Sequence, residues 1–119
     1  MDEAAARALA DEWVAAWNAH DLDAVLVHYD AAIEFRSHVV VRLTGDPSGV
    51  VHGVAALRDY FARALVAYPE LHFALHGVTA GVDSLVIHYT SATGLRAMEQ
   101  MTVGPDDCVV AVRAHHAAG

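Results

Sequence analysis

Leu9, Trp13, Ala16 and Trp17 recur at the spacing of one helical face, which predicts a helix over about residues 2–18. Trp13 and Trp17 lie four residues apart, so both rings share a side with Leu9. Asp21 is placed to cap a second helix through its side-chain oxygen, and Leu22, Val25, Leu26 and Tyr29 supply that helix with an apolar face. The period then changes from helical to alternating, because Ile33, Phe35 and Ser37 are interleaved with Glu34 and Arg36 as a first strand. Gly45-Asp46-Pro47-Ser48-Gly49 is turn chemistry, and it divides two short arms, over 39–43 and 50–52, of an excursion that leads to the next helix. That third helix starts at Val54. Leu57, Tyr60, Phe61, Ala64, Leu65 and Tyr68 form its apolar stripe, Asp59 and Arg63 pair one turn apart, and Pro69 ends it.

The remainder reads as strands over about 71–79, 84–91, 95–103 and 108–116, separated by Gly or Asp. Links this short imply an antiparallel meander. Three helices followed by a meander predict a single α+β domain over residues 1–119, a curved sheet with helices packed on one face. Val, Leu, Met and Tyr occupy both parities of the later strands, so the second face is expected to be covered by another copy of the chain, as a homodimer.

Composition narrows the partners. Hydrophobic residues make up 55% of the 119, yet no apolar run is long enough to span a bilayer, so no membrane partner is expected. Met1-Asp2-Glu3-Ala4 carries acid where a secretory signal carries base, which reads as a cytoplasmic protein. Cys108 stands alone, which excludes an internal disulfide and a cysteine-rich zinc site, and suits a small apolar side chain near a strand. A formal charge of -8 opposes phosphate backbones, and the seven basic residues are arginines spread singly from Arg7 to Arg113, so nucleic acid is not an expected partner.

The chemistry centres on one carboxylate. Glu99 lies in the stretch Leu95-Arg96-Ala97-Met98-Glu99-Gln100-Met101-Thr102-Val103, where every other residue of its own parity is apolar. A carboxyl facing an apolar layer loses hydration, its protonated form gains, and it becomes able to donate a proton near neutrality. The alternative is a bulge that turns Glu99 outward as an ordinary surface acid. His38 follows the first strand and reads either as a base near neutral pH or as a solvent-facing loop histidine. His116 falls on the apolar parity of Val110, Val112 and Ala114. His72, His76 and His88 are candidates to meet around a metal, but no carboxylate accompanies them at a ligand spacing, and strand histidines facing water explain the pattern more simply. Neither a nucleophile elbow nor a phosphate-binding glycine loop occurs.

The run from Trp13 through Trp17-Asn18-Ala19-His20-Asp21 to Ile33-Glu34-Phe35-Arg36-Ser37 resembles the opening of the nuclear transport factor 2-like superfamily, in its SnoaL-like branch. The resemblance implies a cone-shaped α+β roll in which helices close a curved sheet around an apolar pocket. Met98-Glu99-Gln100-Met101-Thr102-Val103, a turn, and Val109-Val110-Ala111-Val112-Arg113-Ala114 are similar to the end of ketosteroid isomerases, which have an oxyanion-binding Asp where Glu99 stands. Those enzymes place an Asp base where this chain has Ser37-His38, and their oxyanion Tyr maps onto Trp13 or Val14, so steroid isomerisation by that route is not expected. The acid, arginine, acid pattern of limonene epoxide hydrolases is also unmet, since Arg96 and Glu99 have opposite parity.

On that resemblance the pocket is lined by Trp13, Trp17, Tyr29, Phe35, Tyr60, Phe61 and Met101 together with Glu99 and His116, and it accepts a small apolar or aromatic ligand. SnoaL-like cyclases imply proton transfer without metal or cofactor, so the expectation is a cofactor-independent cyclase, isomerase or dehydratase. Glu99 is then the acid or oxyanion donor, and His116 or His38 the base. A binding module without turnover, or a dimeric protein-association module, remains the alternative.

Nine histidines carry one consequence of their own. Protonating all of them moves the formal charge from -8 to +1, so solubility should fall as the pH drops through roughly 6. Turbidity that stays unchanged between neutral and mildly acidic buffer would refute this.

Overall fold

The computed structural model describes residues 1–118. The first helix, α1 (Glu3–Asn18), is capped by Asp2, whose carboxylate accepts from the Ala5 N–H at 2.7 Å. It buries Ala6, Leu9, Ala10, Trp13, Ala16 and Trp17. Asp21 caps α2 (Leu22–Leu26) through the Ala24 N–H at 3.1 Å, as its position predicts. Tyr29 departs from its expected place on that helix and opens the strand β1 (Tyr29–Arg36). The reason is tertiary: the His28 carbonyl already accepts from the Val109 N–H at 2.8 Å, which draws the chain into the sheet.

The arm over 39–43 is a helix, α3 (His38–Thr44), so the sheet meets four helices rather than three among the described residues. Val39-Val40-Val41 favours strand, but the Ser37 hydroxyl accepts from the Val39 N–H at 3.1 Å and Gly45 closes the last turn at φ 78°. Local punctuation, together with burial of Val40, overrides a weak β preference. The second arm is β2 (Val50–His52), paired antiparallel with β1. Between the arms, Gly49 has φ 67°, and a Cβ there would lie 3.1 Å from the Ser37 carbonyl oxygen, so only glycine fits without displacement.

After α4 (Val54–Ala67) the meander β3 (Ala74–Ala80), β4 (Ser84–Thr90), β5 (Arg96–Val103) and β6 (Val109–His116) runs antiparallel. The six strands order as β2-β1-β6-β5-β4-β3, and β1 joins β6 in parallel. Irregular registers between Tyr29 and Glu34, Leu75 and Gly77, and Thr102 and Val103 are places where the strands bend. Leu85, Ile87 and Tyr89 of β4 and Ala97, Glu99 and Met101 of β5 are buried on the helix-covered face. The α+β architecture and the curved sheet under N-terminal helices agree with the sequence reading. None of the described helices is long and apolar enough to cross a membrane.

Polar clamps fix the roof on the sheet. Asn18, at the end of α1, donates from Nδ2 to the Phe73 carbonyl at 2.9 Å and accepts from the Phe73 N–H at 2.7 Å. His20 reaches the Leu71 carbonyl at 2.8 Å. These bonds hold Leu71 and Phe73, just ahead of β3, beneath the two tryptophans. Trp13 stacks on Phe73 with centroids 5.5 Å apart, and Trp17 meets Phe61 edge-on at 4.7 Å.

Candidate functional site

A cavity of about 150 Å³ opens between the helices and the inner sheet face. Its floor is aromatic: Trp13, Trp17, Phe35, Tyr60, Phe61, Phe73 and Tyr89 line it and all are buried. Glu99 is the one carboxylate among the lining residues, and it is only 4% exposed. The rim carries exposed side chains, Arg42 from α3, Thr93 from the β4–β5 link and His116 from the end of β6.

Glu99 is where the chemistry concentrates. The Tyr89 hydroxyl donates to its Oε1 at 2.7 Å, while Oε2 has no partner among the described residues. Burial raises its pKa from 4.5 to about 7, although the Tyr89 hydrogen bond works in the opposite direction. Near neutrality the group therefore exchanges between an acid that donates through Oε2 and a carboxylate that accepts. Burial first, and the Glu99 charge second, push the phenols of Tyr29, Tyr60 and Tyr89 well above their ordinary value, so all three stay neutral. The Trp17 indole N–H is a second buried polar group beside the cavity that has no partner among the described residues.

His116 stands opposite Ala97 in the β5–β6 register, and Glu99 stands opposite Ala114. Directly paired residues share a sheet face, so His116 and Glu99 are diagonal neighbours on the cavity side, a relation that spans about 7–8 Å between Cα atoms. Partial burial lowers the His116 pKa, and the positive charges of Arg42, His38 and His115 lower it further. The ring is accordingly neutral at neutral pH and able to accept a proton.

Most of the sequence-predicted site converges here: Trp13, Trp17, Phe35, Tyr60, Phe61, Glu99 and His116 all line the cavity. Three residues do not. Tyr29 is buried behind the lining, where its hydroxyl accepts from the Trp13 indole N–H at 3.0 Å. Met101 is fully buried in the core and does not reach the cavity. His38 is exposed at the start of α3 and lines an outer groove with Arg36, Arg113 and His115, which adjoins the cavity at Ser37 and His116. Ser37 lines the cavity, but its hydroxyl is engaged as the α3 cap, so no base stands at the end of β1.

The sequence reading missed Phe73, Tyr89 and Arg42. Tyr89 shares the buried parity of Leu85 and Ile87, a signal that was available, but its bond to Glu99 depends on the β4–β5 register. Arg42 could not be placed without recognising α3. His76 and His88 bond Thr90 and Thr79 across the β3–β4 pair, and among the described residues no group of three His, Cys, Asp or Glu is arranged around a common point.

A helix-roofed α+β roll with an apolar cavity and one buried carboxyl defines the class of protein. The chain belongs to the SnoaL-like domain family, which it matches over residues 10–118. It is similar to a SnoaL-like protein of unknown function from Burkholderia thailandensis E264, at 44% identity and a TM-score of 0.94, with 98% of each chain covered. A provisionally assigned polyketide cyclase from Sinorhizobium meliloti aligns at 12% identity and a TM-score of 0.75, covering 97% of this chain and 100% of that one. A provisionally assigned ketosteroid isomerase from Kribbella flavida DSM 17836 aligns at 16% identity and a TM-score of 0.76, covering 99% and 82%. At those identities the last two share the fold alone. Among curated proteins none matches the chain significantly.

The Glu99 shift has a consequence for stability. Below pH 4.5 the group is protonated in both folded and unfolded chains and favours neither. As the pH rises from 4.5 to about 7 the unfolded chain ionises first, so the folded state loses about 3 kcal/mol, and the loss is complete above the folded pKa. Glu99→Gln removes that titration and keeps an acceptor for Tyr89. Urea unfolding at a series of pH values should show the variant gaining on the wild type by about this amount between mildly acidic and mildly alkaline buffer. The histidines contribute equally to both proteins. A difference independent of pH would contradict the raised pKa.

Proposed function

We propose that this domain binds a small, largely apolar molecule in the cavity and rearranges it by proton transfer, as a cofactor-independent isomerase, cyclase or lyase. The observation that carries the reading is Glu99, buried among aromatic rings at the cavity, held by Tyr89 through one oxygen and unpartnered at the other. In the protonated form Oε2 donates to a carbonyl oxygen of the ligand. That bond stabilises the enolate oxygen that forms when a neighbouring C–H bond breaks, and Glu99 keeps its proton throughout. His116 accepts the released proton and returns it to the same or another carbon, which closes the cycle with no net change in the protein. Water exclusion by the aromatic floor strengthens the Glu99 bond at the moment charge develops on oxygen.

A non-catalytic binding module is the second reading. It is favoured by Ser37, which stands without a carboxylate at the end of β1 and leaves Glu99 as the only acid on the cavity. Deuterium exchange separates the two. In D2O, the carbons next to the carbonyl of phenylacetone, a ligand with one ring and one ketone, should take up deuterium faster with the wild type than with Glu99→Gln or His116→Ala, by about a hundredfold. Uptake at the buffer rate in all three proteins, with binding retained, would leave the binding module as the answer.

We also propose that two copies pair through the outer sheet face, where Val86 and Gln100 are half-buried and Met98 is exposed within the single chain. Light scattering should report twice the chain mass, and charge introduced by Met98→Glu should shift it toward one. A wild-type mass of one chain at micromolar concentration would overturn the pairing.

A further inference from the structure

The cavity is small and its rim is positive, and these two facts together restrict the ligand. A dry cavity of roughly 150 Å³ accommodates about one benzene-sized ring, and the volume here is about 150 Å³. The cavity opens to solvent at the rim, so this volume sets the size of the end of a ligand that it encloses. Arg42 is the only lining side chain that carries a permanent charge, and among the described residues its guanidinium forms no ion pair. None of the other arginines lines the cavity, and Arg7, Arg36 and Arg58 pair with Asp11, Glu34 and Asp23. His116 shares the rim with Arg42 and is neutral at neutral pH, so the positive charge there is that of the guanidinium. A chain with a formal charge of -8 thus presents a locally cationic entrance to an apolar chamber. The only acid inside, Glu99, lies at the buried end rather than beside Arg42.

We propose that the ligand is a one-ring carboxylic acid that also carries a carbonyl or similar oxygen, its ring on the aromatic floor, its oxygen on Glu99 and its carboxylate on Arg42 at the rim. This rests on the reading of the cavity as a ligand site and names the class of molecule that enters it. The guanidinium offers parallel donors matched to the two oxygens of a carboxylate. The ligand's charge stays at the wet end, so no anion is buried, and the neutral end alone enters the apolar chamber. Arg42 also orients the molecule, because anchoring the carboxylate outside leaves only the far end of the ring within reach of Glu99.

The test is calorimetric titration at neutral pH with 4-acetylbenzoate, its neutral methyl ester, and acetophenone. The wild type should bind the acid about tenfold or more tightly than the ester, and in Arg42→Gln that preference should disappear. Arg42→Lys, which keeps the charge and loses the fork, should retain part of it. Arg42 is exposed on a short helix, so these variants leave the core untouched. Equal binding of acid and ester would overturn the anionic-ligand inference while leaving the small-molecule reading in place. A preference that persists in Arg42→Gln would remove Arg42 from the assignment. Failure of all three probes to bind would overturn the ligand reading itself.

Discussion

Burial of a single carboxyl group inside an aromatic shell is the constraint on which the electrostatics of the cavity depend. Glu99 lies on a central strand, between β4 and β6, with an apolar residue two positions away on either side of it. An ionised carboxylate there forfeits hydration that one phenol cannot replace, so proton occupancy is set by the surroundings rather than by the group. Tyr89 matters in both directions. Its hydroxyl orients the carboxyl and favours the charged form, while its ring joins Phe73 and Trp13 in excluding the water that would do the same more strongly.

The shell in turn depends on how the helices are tied to the sheet. Trp13 packs against Phe73 and Tyr89 and donates to Tyr29, so one helical side chain touches three places on the sheet side of the core. Asn18 reproduces a strand-like pair of hydrogen bonds with Phe73, which lets a helix end substitute for a neighbouring strand at the sheet margin. The cavity persists where these aromatic contacts leave a gap that no side chain fills. Charge is partitioned around it, with Glu99 buried among the aromatic rings and the Arg42 guanidinium exposed at the rim.

Local signals were legible wherever an element is specified by its own residues. The Trp13 and Trp17 stripe, the Asp21 cap, the Pro69 stop and the alternation around Glu99 each translate into structure with small shifts of boundary. Glu99 emerged from parity alone, since a lone acid in an apolar row is conspicuous without any partner being known. The α3 helix was not legible as such, because three consecutive valines argue for strand while Ser37 and Gly45 argue for helix ends, and tertiary burial of Val40 settles the contest. With α3 unrecognised, Arg42 had no reason to be placed at a site.

The sequence by itself determined the class of fold and singled out Glu99, because periodicity and capping act over a few residues at a time, and its resemblance to the SnoaL-like family supplied most of the aromatic floor. Tertiary structure alone decided that Tyr89 holds Glu99, that His116 is a diagonal neighbour while His38 faces elsewhere, that Tyr29 and Met101 are structural, and that Arg42 stands at the entrance. The placing of Tyr89, Glu99 and His116 follows from strand register, and that of His38 and Arg42 from the α3 helix, whose formation depends on packing against the rest of the chain. A single-residue change of register would reverse every side chain on a strand, and that choice is made by the packing of the whole domain.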